Sequence, residues 1–316
     1  MADGKIGVAL GSGAARGWAH IGVLRALSAA GIKPDIIAGT SIGAVVGGCY
    51  AAGILDALEG FARELTRRKV FGYLDFNFAG SGLITGQRLC DRLETYLSNQ
   101  PIEELPRRFV AVATEIGTGH EIWLSRGGLV QAMRASYALP GIFRPVNIGG
   151  RWLFDGALVN PIPVSVCRAL GARYVIAVNL NTDVCGRGTV VPHYEALPAP
   201  EPAPETLEAP RAKNGRAVRK LLQWQLFGKG DGGPGISAVM VDAFNIVQDR
   251  IARSRLAGDP PDAIISPRLG DIGLFDFHRA EELIARGASS AARELEDLVH
   301  EIELRRRVGT RISPPL

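Results

Sequence analysis

The alternation of short apolar runs with longer amphipathic stretches constrains the fold of this chain more than any other feature. The runs "IGVAL" (6–10), "DIIAG" (35–39), "FVAVATEI" (109–116) and "YVIAVNL" (174–180) have the length and composition of buried strands. Strands that are apolar on both faces and alternate with helices form a largely parallel sheet with helices on both sides. The sequence therefore predicts an α/β fold, a three-layer α/β/α sandwich with a mainly parallel central sheet.

The remaining elements follow from the same criteria. Shorter apolar runs predict strands at 121–125, 151–156 and 262–267. Apolar positions at helical spacing predict helices at about 18–30, after Ser41, and at about 55–68, 127–138, 163–170, 236–256 and 278–305. Strands and helices thus occur on both sides of a long irregular stretch.

The irregular stretch interrupts the pattern between 183 and 235. It contains "LPAPEPAPETLEAPRAKNG", whose Pro, Ala and Glu residues predict an extended, mobile insert or lid. The following run "AVRKLLQWQLFGK" (217–229) mixes Leu, Trp and Phe with cations, so it lies on a lipid interface or, as its wide apolar arc favours, packs against the body. We therefore predict a core at 1–182, the insert or lid at 183–235, and the C-terminal part of the same domain at 236–316.

Composition and charge exclude several classes of protein. No run reaches the ~18 consecutive apolar residues of a membrane span, and no charged-then-apolar leader precedes the first strand. The four cysteines lack C-x-x-C spacing, which argues against a disulfide framework and a zinc site. The net charge of +4 comes from dispersed arginines without a nucleic-acid-binding module. We expect a cytoplasmic protein, with peripheral contact at the inner membrane as an option, that uses no metal, cofactor or nucleic acid.

The stretch "GTSIG" places Ser41 at the turn between a buried strand and a helix. Gly39 and Gly43 allow the backbone to bend sharply and to approach its neighbours closely. This G-x-S-x-G pattern is typical of a nucleophile elbow, in which a tight turn exposes the serine hydroxyl to substrate. A serine before an apolar helix is also a common N-cap, and the pattern alone does not decide between the two interpretations.

The first strand ends in "LGSGAARGWAH", a glycine-rich loop that leads into a helix. Gly11 and Gly13 allow several backbone N–H groups to point at one anion. A dinucleotide site does not fit, because the third glycine of its fingerprint falls on Arg16 and the acidic residue Asp35 begins the second strand instead of ending it. The carboxyl ends of neighbouring parallel strands share one edge, so the loop is expected to face Ser41 and to form an oxyanion hole.

A serine nucleophile needs a base, and no histidine is well placed to be one. None lies in the Gly-flanked loop expected of a triad histidine; the five are His20, His120, His193, His278 and His300. Asp155, in "RWLFDGALVNPIP", ends a predicted strand and precedes a glycine turn. It is therefore the better candidate for the base, at the same sheet edge as the serine.

The motifs "GSGAARG", "GTSIG" and "DGA", in this order, resemble the patatin-like phospholipase family. The resemblance extends to "ASYALPGIFRPV" (135–146), to "VNPIPVSVCRALGA" (159–172), and to "GDPPDAIISP" and "DFHRAEELIARG" nearer the C-terminus. It is similar to the bacterial cytoplasmic branch of the family and covers nearly the whole chain except the insert.

The resemblance implies a carboxylic ester hydrolase that acts on phospholipids, lysophospholipids or other acyl esters. It implies that Ser41 is the nucleophile and Asp155 its partner in a Ser/Asp dyad, working through an acyl-enzyme. The implied oxyanion hole consists of the amides of Gly11, Ser12, Gly13, Ala14 and Ile42. Arg16 flanks that hole and is expected to bind substrate. Ser12 and Ala14 stand where the family pattern has glycine.

Two alternatives remain at this point. An acyltransferase of the malonyl-transfer type shares the elbow and the sheet, but it is expected to carry histidine beside the serine, where this chain has Thr40. A regulatory or lipid-binding protein with little activity also fits the same fold.

Overall fold

The computed structural model describes residues 5–73, 87–97, 99–183 and 236–311. The strands in these ranges are β1 (Ile6–Leu10), β2 (Ile36–Thr40), β3 (Arg108–Glu115), β4 (Glu121–Leu124), β5 (Val146–Ile148), β6 (Arg151–Asp155), β7 (Tyr174–Val178) and β8 (Ala263–Ile265). The α-helices are α1 (Ala19–Ala29), α2 (Ile42–Ala51), α3 (Leu55–Arg63), α4 (Arg67–Tyr73), α5 (Gln87–Leu97), α6 (Leu129–Ser136), α7 (Val164–Ala169), α8 (Ile236–Gly258) and α9 (Ala280–Arg311). Short 3₁₀ helices lie at Ala14–Trp18, Ile102–Glu104, Gly156–Leu158 and Phe277–Arg279.

The strands form one mixed sheet with a parallel centre. Hydrogen-bonded neighbours follow the path β5-β6-β3-β2-β1-β7-β8, and β4 also pairs with β3. The pairs among β3, β2, β1, β7 and β8 are parallel. The pairs that involve β4, β5 and β6 are antiparallel. The α/β fold is confirmed, and its antiparallel end lies beside the serine-bearing strand.

Side chains of the central strands alternate between two separate apolar cores, because successive residues of a strand point to opposite faces. In β1, Val8 and Leu10 enter one core and Ala9 enters the other. In β7, Ile176 enters the first core and Val175 the second. Helices α1, α2, α3 and α9 cover the first face, while α7 and the end of α8 cover the second. The result is the predicted three-layer arrangement.

The chain divides into two compact units, one made of residues 1–184 and 248–316 and the other of 185–247. Residues 184–235 of the predicted insert or lid lie outside the described residues, and so does the run at 217–229. Both therefore stay predictions. Every residue of the candidate site described below belongs to the first unit.

The structure adds elements that sequence periodicity did not predict. The single helix expected at 55–68 is two helices, and at the start of the second Thr66 Oγ1 accepts the N–H of Lys69 at 3.3 Å, as a capping residue does. Helix α5 and strand β5 were not predicted, and β5 has only three residues, too few for a periodic pattern. Among the described residues, no helix is both long and apolar enough to cross a membrane.

Candidate active site

Ser41 lies at a tight turn between β2 and α2. Its φ of 59° and ψ of −124° are a sparsely populated backbone conformation for a non-glycine residue. A Cβ atom on Gly39 would lie 2.4 Å from the Gly43 carbonyl oxygen, and one on Gly43 would lie 2.2 Å from the Leu10 carbonyl oxygen. Both glycines are thus required by close backbone packing, which lets α2 begin directly above the strands.

Hydrogen bonds from neighbouring elements hold this strained turn. The Ser41 amide donates to Ser136 Oγ at 2.9 Å, and Ser136 Oγ donates to the Val112 carbonyl at 2.6 Å. On the preceding residue, Thr40 Oγ1 donates to the Asn160 carbonyl at 2.7 Å. Ser136 and Thr40 are fully buried, so water does not compete for these contacts. The turn is anchored to β3 and to the segment that follows Asp155.

Strand register brings Asp155 to the serine. Thr40, at the end of β2, pairs with Val112 of β3, and Asp155, at the end of β6, pairs with the next β3 residue, Ala113. Strand β4 pairs with β3 from Ala111 to Thr114, so it fills one hydrogen-bonding side of β3 over these residues. Both β2 and β6 therefore pair with the opposite side of β3, where their ends meet. The expectation that Asp155 lies close to the serine agrees with this register, but an antiparallel strand that meets β2 end to end delivers the carboxylate, not a carboxyl edge shared by parallel strands.

The carboxylate of Asp155 contacts the serine directly. Ser41 Oγ donates to Asp155 Oδ2 at 2.7 Å, and the amide of Ala157 donates to Oδ1 at 2.9 Å. Only 2% of Asp155 is exposed. Burial raises the pKa of Asp155 to about 7, against the lowering effect of the two hydrogen bonds. A carboxyl group with this pKa accepts a proton near neutral pH far better than an ordinary aspartate does.

The loop after β1 has some amides already bonded and others open. The Gly11 amide donates to the Val178 carbonyl at 3.1 Å, and the Ser12 amide donates to the Pro161 carbonyl at 3.0 Å. Of the amides predicted for the oxyanion hole, those of Gly13, Ala14 and Ile42 have no acceptor among the described residues. Three of the five amides predicted for an oxyanion hole therefore remain candidates, because the other two already donate to backbone carbonyls.

Arg16 does not have the geometry expected of a substrate-binding residue. Its side chain is buried, its Nε donates to the Ile272 carbonyl at 3.1 Å, and a terminal nitrogen donates to Asn181 Oδ1 at 3.0 Å. A guanidinium with these two partners ties the loop to distant segments of the chain. These contacts do not support the prediction that Arg16 binds substrate, which stays a prediction.

His20 lies beneath the same loop. One ring nitrogen, Nε2, is 2.7 Å from the Gly11 carbonyl, and Nδ1 is buried without a partner in the described part of the chain. Burial lowers the pKa of His20 to about 4, so the ring is neutral at pH 7. A carbonyl only accepts, so Nε2 carries the proton and donates it. His20 thus supports the loop backbone and makes no hydrogen bond to Ser41 in the described part of the chain.

Sequence reasoning missed several residues that shape this region. Ser136 lies within a motif quoted for the family resemblance, but no periodicity links it to Ser41. His20 was weighed only as a base. Gln248, whose Oε1 accepts from Ser12 Oγ at 2.5 Å, lies 236 residues further along the chain and gave no local signal. In the ranges covered by the coordinates, no group of three or more His, Cys, Asp or Glu side chains is arranged to hold a metal ion.

Comparison with known proteins agrees with this geometry at the level of family. The chain matches the family described as "Patatin-like phospholipase" over residues 8–168. An uncharacterized NTE family protein of Mycobacterium tuberculosis is 33% identical over 329 residues, which cover 92% of this chain and 91% of that protein. This chain belongs to the patatin-like phospholipase family, and the family and the NTE-named relatives support a lipid hydrolase that acts on lipid esters.

In the other similar proteins, the region shared with this chain is a smaller part of the whole protein. Lysophospholipase NTE1 of Debaryomyces hansenii is 31% identical over 186 residues, 58% of this chain and 12% of that protein. A patatin-like phospholipase domain-containing protein of Caenorhabditis elegans is 36% identical over 197 residues, 58% of this chain and 14% of that protein. The structure of VipD from Legionella pneumophila has a TM-score of 0.47 and 13% identity, over 94% of this chain and 67% of that one.

Proposed function

We propose that this protein is a serine acyl hydrolase of the phospholipase A or lysophospholipase type. It cleaves fatty acyl esters of lipids, with Ser41 as nucleophile and Asp155 as the base. The observation that carries the proposal is the 2.7 Å hydrogen bond from Ser41 Oγ to Asp155 Oδ2 at the N-terminus of α2. A buried serine hydroxyl that donates to a carboxylate of raised pKa is the arrangement that an activated nucleophile requires.

Each group of the site has a defined part in the reaction. Asp155 Oδ2 takes the hydroxyl proton while Ser41 Oγ attacks the ester carbonyl carbon. The amides of Gly13, Ala14 and Ile42, with the positive end of the α2 dipole, stabilise the oxyanion that forms. Collapse of this intermediate breaks the ester bond, and Asp155 gives its proton to the leaving alcohol. Water, deprotonated by the same carboxylate, then attacks the acyl-enzyme, releases the fatty acid and restores the serine.

Substrate class follows from the family and from one relative. The Debaryomyces protein is named a lysophospholipase, and we propose the same monoacyl substrate class for this chain. Membrane contact and a position at the inner membrane remain predictions that accompany this proposal. A mixture of lysophosphatidylcholine and diacyl phosphatidylcholine, followed by mass spectrometry of the released fatty acids, distinguishes the two ester classes.

The direct test uses a fluorophosphonate probe and a short p-nitrophenyl ester. Wild type is expected to be labelled and to hydrolyse the ester, whereas Ser41→Ala is expected to lose both, with a fall of at least about 10⁴-fold in kcat. Ser28→Ala is the matched control, because Ser28 Oγ contacts Tyr50 Oη and makes no contact with Asp155. The control is expected to keep wild-type labelling and turnover.

Two outcomes contradict the proposal. Persistent labelling of Ser41→Ala places the nucleophile elsewhere. A wild-type protein that binds lipid vesicles but neither reacts with the probe nor hydrolyses the ester favours the alternative of a regulatory or lipid-binding protein on this fold.

A further inference from the structure

Ser12, the residue before the open amides, is held at all of its polar groups. Its amide donates to the Pro161 carbonyl at 3.0 Å. Its hydroxyl donates to Gln248 Oε1 at 2.5 Å, and its carbonyl accepts from Asn181 Nδ2 at 3.2 Å. Only 2% of Ser12 is exposed. Rotation of this residue therefore breaks at least one of these three hydrogen bonds.

We propose that Asn181 and Gln248 are positioning residues that aim the oxyanion-binding amide of Gly13 through Ser12. This inference rests on the proposed function, and it assigns to the two residues a part in transition-state stabilisation. Neither side chain touches the substrate. Both act by fixing the backbone that presents the donor.

The physical link is the planarity of the peptide bond. The Ser12 carbonyl and the Gly13 N–H belong to the same peptide group, in which C=O and N–H point in opposite directions. Asn181 holds the carbonyl end, so it also sets the direction of the N–H. The next peptide plane is held locally, because the Gly13 carbonyl accepts from the Arg16 amide at 3.1 Å and so aims the Ala14 N–H.

Two further hydrogen bonds fix the orientation of Asn181. Its Oδ1 accepts from Arg16, which settles the orientation of the amide group and leaves Nδ2 free to donate to Ser12. Its backbone amide donates to Asn179 Oδ1 at 3.0 Å. Arg16, expected from the sequence to bind substrate, therefore has a structural reason to lie beside the loop.

Gln248 provides the second support, from helix α8. It lies in α8, only 5% of it is exposed, and its short bond to Ser12 is buried. Ser12 stands where the family pattern has glycine, and a glycine has no hydroxyl for this bond. Asn181 and Gln248 both lie beyond the residues 8–168 that match the family. The two side chains that hydrogen-bond to Ser12 therefore lie in a part of the chain that the family match does not cover.

The test distinguishes a misdirected Gly13 N–H from a loss of overall stability. Asn181→Asp keeps the oxygen that binds Arg16 but replaces the donor to the Ser12 carbonyl with an acceptor. Gln248→Ala removes the acceptor of the Ser12 hydroxyl, and Ser12→Gly removes the hydroxyl itself. Each variant is expected to lower kcat for the p-nitrophenyl ester by about tenfold or more, with KM within about twofold, because small misplacements of catalytic groups act on the transition state.

A double-mutant cycle tests whether Gln248 changes kcat through the Ser12 hydroxyl. If Gln248 acts only through the Ser12 hydroxyl, Ser12→Gly/Gln248→Ala has the same kcat as either single variant. Asp249→Asn is the control, since Asp249 is the adjacent buried residue in α8 and pairs with Arg253 of the same helix. It is expected to keep wild-type kcat and KM. Melting temperatures are measured for all variants, and Ser12→Gly supplies the result for the hydroxyl bond should Gln248→Ala fail to fold.

The results overturn the inference in distinct ways. Wild-type kcat in both Asn181→Asp and Ser12→Gly rejects the positioning role while leaving the proposed function intact, provided that Ser41→Ala is inactive. A further fall in kcat when Gln248→Ala is added to Ser12→Gly shows that Gln248 acts by another route. Full activity in Ser41→Ala rejects the proposed function itself, whatever the other variants do.

Discussion

The turn at Ser41 and the loop at residues 11–14 present two ways of building one site. Both follow a buried parallel strand, and both contain a non-glycine residue at positive φ, 59° for Ser41 and 48° for Ala14. The turn offers a side chain, and close glycine packing against the strands fixes its backbone. The loop offers backbone amides, and its own polar groups bond to Pro161, Val178, Asn181 and Gln248.

This difference predicts how each region responds to substitution. A reactive side chain is lost outright when it is replaced, so changes at the serine and its base remove chemistry. An amide remains present in every variant except proline, so changes around the loop alter only its direction. Effects are therefore expected to be very large at the turn, graded around the loop, and smallest where a substitution relieves strain without moving a donor.

After loss of the nucleophile itself, the largest expected effect concerns the base. Asp155→Asn is expected to lower kcat by about 10³- to 10⁴-fold, because the amide keeps the size and the oxygen that binds the Ala157 N–H but accepts no proton from Ser41. Steady-state hydrolysis of the p-nitrophenyl ester measures this. Asp249→Asn serves as the matched control. Retention of full esterase activity by Asp155→Asn would disprove the dyad.

The pH dependence of activity sharpens the same point. Only the ionised carboxylate takes the serine proton, and the pKa of Asp155 is about 7. We expect kcat/KM to rise about tenfold per pH unit below pH 7 and to level off above it. A rate that stays constant between pH 5 and pH 8 contradicts Asp155 as the base.

Stability is expected to change in the opposite direction with pH. The pKa of Asp155 is about 7 in the folded protein against its ordinary value of 3.8, so between these pH values the folded state keeps a proton that the unfolded state has released. The contribution of this group to the free energy of unfolding therefore falls as pH rises through that window. The melting temperature of Asp155→Asn relative to wild type is expected to increase from pH 4 to pH 8. A pH-independent difference would show that burial does not penalise the carboxylate.

An intermediate effect is expected where the turn is supported from outside. Ser136→Ala removes the acceptor of the Ser41 amide and leaves that N–H buried without a partner. We expect about a tenfold fall in kcat/KM and a loss of about 1–3 kcal/mol in the free energy of unfolding. Ester hydrolysis and urea unfolding measure the two quantities, with Ser28→Ala as the control. Unchanged activity would show that glycine packing alone fixes the turn.

The smallest effect is expected at the strained residue of the loop. Ala14→Gly relieves a left-handed conformation, which favours the folded state by about 1 kcal/mol, but glycine also makes the unfolded chain more flexible. The two terms oppose each other, so we expect a change in the free energy of unfolding below about 1 kcal/mol and kcat within about threefold of wild type. A fall beyond tenfold would show that the loop needs the alanine side chain to aim its amide.

The sequence predicted the parts of the fold whose signals are local. Buried strands bounded by glycine, proline and aspartate placed β1, β2 and β7 almost residue for residue. Ser41 and Asp155 were found because each lies at the end of a strand beside a glycine turn. Their roles stay proposals; their proximity was expected from parallel strands, whereas an antiparallel β6 produces it.

Other features depend on contacts that no local pattern encodes. The composition of β6 is the same whichever direction the strand runs, so its antiparallel pairing with β3 was not predictable from apolar runs. Arg16 was placed at the site by its neighbours in sequence, whereas its partners Ile272 and Asn181 lie far along the chain. The bond between Ser12 and Gln248 is beyond sequence reasoning for the same reason.

Because β2 and β6 meet end to end, Asp155 reaches Ser41 only in this register of β6 against β3. A strand slips against its neighbour only in whole residues, and a slip by one reverses the face to which every side chain points. One slip of β6 along β3 would carry the Asp155 carboxylate to the opposite face of the sheet. Substitutions in the β5–β6 hairpin, remote from the serine, are therefore capable of silencing the protein while leaving it folded.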